Sequence, residues 1–126
     1  MTARFFIGGA ARSQGKYVTL TGGLTWRDVP GNYTLVADDQ NNGLSTSGSA
    51  GTQTITIPPD ADVTTDVGSA VLIFGYGAAA VEVVGGSGVT VLVRSPLLAE
   101  LAGQYATATI IKHAANTWLI CGDLGT

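Results

Sequence analysis

Cysteine and histidine are almost absent from this 126-residue chain, which holds one residue of each. A single cysteine forms no internal bridge, so a disulfide-stapled secreted mini-protein is excluded. One histidine and one cysteine also fall short of the three or four ligands that a protein zinc site normally collects. The histidine, His113, has no serine or cysteine nucleophile beside it in a recognisable motif, so we expect no catalytic triad and no enzyme. Cys121 lies in an apolar run, and we expect it to be buried.

Charged residues are also scarce, at 12% of the chain against about 25% in a typical soluble domain. The net charge is −3, and the six basic residues are scattered, so a basic stripe for nucleic acid is missing. The surface must therefore consist largely of Thr, Ser, Gly, Asn and Ala. Such a surface suits burial in an assembly, because every charge placed in an interface has to be desolvated. A neutral surface that faces solvent is the alternative.

Long hydrophobic runs are missing as well. The most apolar stretch, residues 70–76, has the length of a strand and is far shorter than the ~20 residues of a spanning helix. The amino end has no long apolar core after Arg4, which argues against a signal peptide. We therefore expect a soluble protein that is made in the cytoplasm, with no membrane partner.

Hydrophobic residues recur with a period of two, which is typical of half-buried strands. Turn residues interrupt the pattern at short intervals, and this combination predicts an all-β fold: a single antiparallel β-sandwich or jelly-roll-like barrel. We expect an amino-terminal arm at residues 1–16 and the β-domain at residues 17–126. The predicted strands are residues 4–8, 17–20, 33–37, 53–57, 70–76, 80–84, 89–93, 104–113 and 117–121.

Three local features refine this prediction. The last two pairs of strands should form hairpins, the first of them through the glycine-rich residues 85–88. Ser95 and Pro96 resemble a helix start, with Gly103 ending a helix of about two turns; because the segment is so short, we expect a helical turn or a loop whose leucines plug one end of the β-structure. Residues 41–51 carry little charge and few apolar side chains, so we expect a flexible loop there.

Acidic residues cluster beside two turns. Asp38 and Asp39 are adjacent on a predicted strand end and should point to opposite faces, which prevents them from cooperating as a catalytic pair. Residues 60–66 contain three aspartates but lack the glycine and terminal glutamate of an EF-hand loop. A bound cation at residues 60–66 stays open, and no metal or cofactor is assigned.

Aromatic side chains offer one binding alternative. Trp26, Tyr33, Tyr105 and Trp118 are candidates for stacking on a sugar, although aromatic residues that fill a small core would look the same.

The carboxyl-terminal half contains a recognisable pattern. TQTITIPP at residues 52–59 is followed by LAGQYATATIIK at residues 101–112 and by TWLICGDL at residues 117–124. Over residues 32–124 the chain resembles a module of tailed-bacteriophage structural proteins that ends in an "LAGQYATATLIK" strand, a turn and a closing "TWLLxGDL". Cys121 departs from that pattern, where a small residue or serine is more usual.

The resemblance implies a piece of virion architecture. Because the module makes up nearly the whole chain, we expect a capsid decoration or cement protein on the head surface, with the major capsid protein and a second or third copy of itself as partners. A tail-fibre or tail-tip module that binds a host-surface carbohydrate is the alternative. The predicted contacts with a neighbour lie in the amino-terminal arm and in the 41–51 loop: Phe5, Phe6, Ile7, Arg12, Asn42 and Leu44.

Overall fold

A computed structural model describes residues 23–126, and nearly all of its regular structure is β. A single turn of 3₁₀ helix at Ala37–Asp39 is the one helical element in this range, and no helix there is long and apolar enough to cross a membrane. The strands are β1 Trp26–Val29, β2 Tyr33–Thr34, β3 Gly43–Thr46, β4 Thr52–Ile57, β5 Ala70–Gly75, β6 Ala80–Gly85, β7 Thr90–Leu92, β8 Thr107–Ala114 and β9 Thr117–Gly122.

The strands form two sheets. The large sheet has the order β1-β3-β5-β8-β9-β7, and the small sheet has the order β2-β4-β6. Strands β1 to β6 therefore alternate between the sheets along the chain. Parallel neighbours need a crossover connection, and among β1 to β6 each crossover runs through a strand of the opposite sheet, whereas β7 and β9 are connected through β8 of the same sheet. Five of the seven pairings in the described part are parallel. The two antiparallel pairings both involve β8, which lies between β5 and β9.

Both sheets turn one face towards a common core. In β4 and β5 every second residue is buried, and Ile55, Ile57 and Ile73 are fully enclosed. The cluster also takes Ile110 from β8 and Trp118 from β9. Branched side chains at alternate positions fit this pleated, half-buried environment, which explains why these residues form strands.

The carboxyl-terminal hairpin is inserted into the large sheet between β5 and β7. Strands β8 and β9 pair antiparallel around a turn in which Asn116 adopts a positive φ of 51°, and a register shift lies between Lys112 and Ala114. β8 then pairs with β5, and β9 pairs with β7. The predicted final hairpin is thus confirmed, although β8 begins at Thr107 and not at residue 104.

The all-β prediction is confirmed, but its antiparallel pairing is wrong. Buried parallel sheets normally carry continuous apolar runs, because helices cover both of their faces. Here each sheet keeps one outer face, so its parallel strands show the alternation that is typical of antiparallel ones. The jelly-roll-like barrel, which is built from antiparallel Greek keys, does not describe this strand order.

One further local prediction is wrong. β6 and β7 lie in different sheets and do not form a hairpin, although Gly88 does supply a positive φ of 78° in the connection between them. Of the two alternatives for the segment that begins at Ser95, the structure shows the loop and not the helical turn. Residues 97–101 form no helix, because their backbone extends the small sheet: Val83 N donates to Ala99 O at 2.8 Å, and Leu101 N donates to Val81 O at 2.9 Å. A helix of two turns is marginal on its own and does not compete with such pairing.

The predicted flexible loop at residues 41–51 contains β3, an interior strand of the large sheet. Leu44 at its centre is 0% exposed, and Thr46 is also buried. The neighbours β1 and β5 supply the burial that the local composition does not suggest. The predicted strands at residues 4–8 and 17–20, and the domain boundary at residue 17, lie outside the described residues.

Replacing Leu44 by alanine tests this assignment. A buried leucine in a core strand should lower the free energy of unfolding by about 2–5 kcal/mol when it is truncated to alanine. The same change at Leu98, which is 47% exposed, should stay within about 0.5 kcal/mol of the parent. Urea unfolding measures both, and equal effects would contradict the burial of β3.

Candidate binding surface

Trp26 lies flat across the outer face of the large sheet, with a glycine beneath it. In the β1–β3 register Trp26 is opposite Gly43, and a Cβ atom added to Gly43 would lie 2.6 Å from two carbons of the indole ring. The absence of a side chain at this position lets the ring approach the backbone. Trp26 nevertheless remains 49% exposed, so the ring presents its surface to solvent.

Three further aromatic rings gather beside Trp26. The Phe74 ring lies 6.0 Å from Trp26, 6.1 Å from Tyr76 and 6.4 Å from Tyr105, measured between centroids. Phe74 is half-buried at the centre, whereas Tyr76 and Tyr105 are 58% and 64% exposed. The four residues form a continuous aromatic surface, which we call the aromatic cluster: Trp26, Phe74, Tyr76 and Tyr105.

The backbone holds Tyr105 in an unusual conformation. Its φ of 68° lies in the left-handed region, which costs a non-glycine residue about 1–3 kcal/mol. Two hydrogen bonds fix the turn against the end of β5: Tyr105 N donates to Gly75 O at 2.7 Å, and Gly75 N donates to Ala106 O at 3.0 Å. The surrounding structure therefore maintains an exposed tyrosine beside Phe74.

A groove of about 410 Å³ lies beside three rings of the aromatic cluster, on the outer face of β1, β3 and β5. It is lined by Trp26, Asp28, Ser45, Phe74 and Tyr76. The Asp28 carboxylate accepts a hydrogen bond of 2.6 Å from the hydroxyl of Ser47, which orients it while leaving acceptor capacity free. The groove combines apolar ring surfaces with one carboxylate and one hydroxyl, a composition that suits a small ligand.

The other half of the same sheet face carries no charge. Strands β7, β8 and β9 present outward the side chains that alternate with buried residues, and none of these is Asp, Glu, Lys or Arg; His113, near the end of β8, is exposed as well and is not part of this set. We call this set the uncharged face: Thr90, Leu92, Thr107, Thr109, Ile111, Thr117, Leu119 and Cys121. Cys121 is exposed there, so the prediction that it is buried is wrong.

Asp39 holds β1 and β2 together from a buried position. Its carboxylate, 2% exposed, accepts hydrogen bonds from Arg27 Nε at 2.9 Å, Tyr33 OH at 2.7 Å and Val36 N at 2.9 Å. Burial, together with the hydrogen bond to Asp39, raises the pKa of Tyr33 to about 12. Asp38, in contrast, is exposed, so the two aspartates point to different sides as predicted, and the network is a structural one.

The side chain of Lys112 reaches the 60–66 loop, the segment for which the sequence leaves a bound cation open. Lys112 is 3% exposed, and its Nζ donates to Asp60 Oδ1 and to Thr65 O, both at 2.8 Å. Asp60 Oδ2 accepts from Asn116 N at 3.1 Å, and the Lys112 hydrogen bond is the main cause that lowers the Asp60 pKa below its usual range. The ammonium group therefore provides the positive charge in the 60–66 loop.

The residues predicted to contact a neighbour or to stack on a sugar lie in different environments. Leu44 and Trp118 are in the core, so neither reaches a neighbour or a sugar. Asn42 is half-buried and bonds Thr25 N and Asp38 O. The remaining predicted residues either lie outside the described part (Phe5, Phe6, Ile7, Arg12), belong to the Asp39 network (Tyr33), or join the aromatic cluster (Trp26, Tyr105).

Sequence reasoning missed Phe74 and Tyr76, since the run that contains them predicted only a strand. The signal was present: Phe74 and Tyr76 are two residues apart, so both belong to the same side of an extended strand. Within residues 23–126, no three His, Cys, Asp or Glu side chains come together as a metal site.

Comparisons with models of protein families, with curated proteins and with solved structures found no match.

The raised pKa of Tyr33 predicts an alkaline effect. The folded state favours the neutral phenol, so its contribution to stability is present below pH 10 and is lost as the pH rises towards 12. A titration of tyrosinate absorbance should show a step near pH 12 that Tyr33→Phe removes. Tyr105→Phe should leave that step in place; a step that persists in Tyr33→Phe would contradict the assignment.

The lowered pKa of Asp60 predicts an acid effect of the opposite sign. Its ionised form is favoured in the folded state, so its contribution is present above the ordinary value of 3.8 and is lost as the pH falls through the lower folded pKa. Asp60→Asn should lower the urea midpoint at neutral pH and show a smaller further loss on acidification. The matched variant is Asp62→Asn, an exposed neighbour, which should behave as the parent does.

Proposed function

We propose that this chain is a structural protein of a tailed-bacteriophage virion, and specifically a capsid decoration or cement protein on the outer head surface. The resemblance of residues 32–124 to a phage structural module supports the class. The uncharged face is the single observation that carries the role, because a sheet surface without charge is suited to burial against protein. Its partners are the major capsid protein and further copies of the chain, as a dimer or trimer.

The physical mechanism is attachment. The two sheets act as a rigid sandwich, so the uncharged face keeps its shape without a partner and loses little conformational freedom on binding. Threonine and leucine side chains are desolvated at far lower cost than ions. A modest interface repeated over a symmetrical shell gains strength from the number of linked contacts.

The aromatic cluster favours a second candidate, the tail-fibre or tail-tip module that contacts a host-surface carbohydrate. Copy number separates the two candidates. A decoration protein is present at a number comparable to the capsid protein, whereas a tail-tip protein is present at only a handful of copies per particle. Quantitative gel analysis or imaging of the intact virion gives this number.

A charge placed on the uncharged face tests the decoration role. Leu119→Lys should reduce occupancy on undecorated heads at least about tenfold, because an interfacial ammonium group must be desolvated. The matched control is Thr34→Lys on the exposed outer side of β2, which should bind as the parent does. Both variants must first show parental unfolding midpoints.

Cys121 supplies an independent readout on the same surface. It is the only cysteine of the chain, so maleimide labelling reports on this position alone. The free protein should label readily, and protein bound to heads should be protected. Equal labelling in both states, or full head occupancy by Leu119→Lys, would overturn the proposed contact.

A further inference from the structure

The arrangement of residues around Trp26 is not needed to stabilise the sheet. A glycine lies beneath the indole, while the ring itself stays 49% exposed. Phe74 supports the centre of the cluster, and Tyr105 is fixed beside it at a positive φ. The result is a shallow platform of aromatic surface next to a groove of about 410 Å³.

We propose that the aromatic cluster and its groove form a binding site for a neutral glycan. The apolar C–H face of a pyranose ring fits against the exposed indole of Trp26 and the phenol ring of Tyr76, which both line the groove. Asp28 and Ser45 on the groove wall accept or donate hydrogen bonds to hydroxyl groups at the edge of the sugar. The site corresponds to two of the four aromatic residues that the sequence suggested, with Phe74 and Tyr76 in place of the other two.

Charge selects the class of glycan. Among residues 23–126, Asp28 is the only charged side chain that lines the groove. The basic side chain beside it along β1, Arg27, is engaged with buried Asp39 at 2.9 Å. The Asp28 carboxylate repels an acidic sugar, whereas hydroxyl and N-acetyl groups meet no such penalty.

The glycan site borders the proposed docking surface, since Phe74 pairs with Thr107 of β8, but the groove itself lies on other strands. The groove lies on the β1, β3 and β5 side of the large sheet, and the uncharged face lies on β7, β8 and β9. A protein anchored through the second half could present the first half to a polysaccharide. The glycan inference therefore does not depend on the decoration role, and the two are measured in different assays.

Tryptophan fluorescence gives a direct readout, because the chain has two tryptophans and Trp118 is only 2% exposed. The full-length chain is titrated with N-acetylglucosamine and glucose oligosaccharides and screened on an array of neutral glycans. Polygalacturonate is the acidic comparison. We expect a saturable change in emission with a neutral glycan and none with polygalacturonate.

Four variants test the geometry. Trp26→Ala and Tyr76→Ala should each weaken binding at least about tenfold, since each change removes aromatic surface that lines the groove. Gly43→Ala keeps every aromatic residue but displaces the indole, because its Cβ would lie 2.6 Å from the ring; it should weaken binding similarly. Tyr33→Phe is the aromatic control outside the groove and should bind as the parent does.

Unfolding midpoints establish that each variant is folded, and Tyr76→Ala, at a 58% exposed position, keeps the test valid if Gly43→Ala fails to fold. The inference is overturned if no neutral glycan binds the parent chain. It is also overturned if folded Trp26→Ala and Tyr76→Ala bind a neutral glycan as tightly as the parent. Head occupancy is a separate measurement and does not decide the glycan inference.

Discussion

The alternation of strands β1 to β6 between two sheets is the constraint on which the other features depend. Each strand buries one side against the opposite sheet, so the core closes only when both sheets are present. The same alternation leaves one outer face on each sheet. On the large sheet this face carries the aromatic cluster at one side and the uncharged face at the other, because the β8–β9 hairpin separates β5 from β7.

The sequence predicts those strands best that have a strong local pattern. β4, β5, β6 and β9 combine branched side chains with a period of two, and the structure places all four within a residue or two of the expected bounds. Period two reports only that one side of a strand is buried. It contains no information on the direction of pairing, so the parallel order could not be predicted from it.

The least predictable strand is β3, where glycine, serine and threonine surround a single leucine. Its burial comes from β1 and β5, which are distant in sequence, and tertiary context overrides the local composition. For the aromatic residues, too, the local sequence does not distinguish a buried position from an exposed one. Trp118 and Trp26 look alike in the sequence, yet one closes the core and the other lies on the surface, because their strands present opposite faces at those positions.

Three features of the aromatic cluster each lower the stability of the folded protein. Gly43 weakens an interior strand, Trp26 leaves a large apolar ring half in water, and Tyr105 occupies a left-handed conformation. Local costs of this kind, when they coincide in one place, are expected at functional sites, since the rest of a natural sequence agrees with its fold. On the uncharged face no residue has a positive φ and the residues suit a strand, although Leu92 is 47% exposed there. Backbone strain and an interior-strand glycine therefore coincide at the aromatic cluster and not on the uncharged face, which is why we propose the ligand site at the former and the protein contact at the latter.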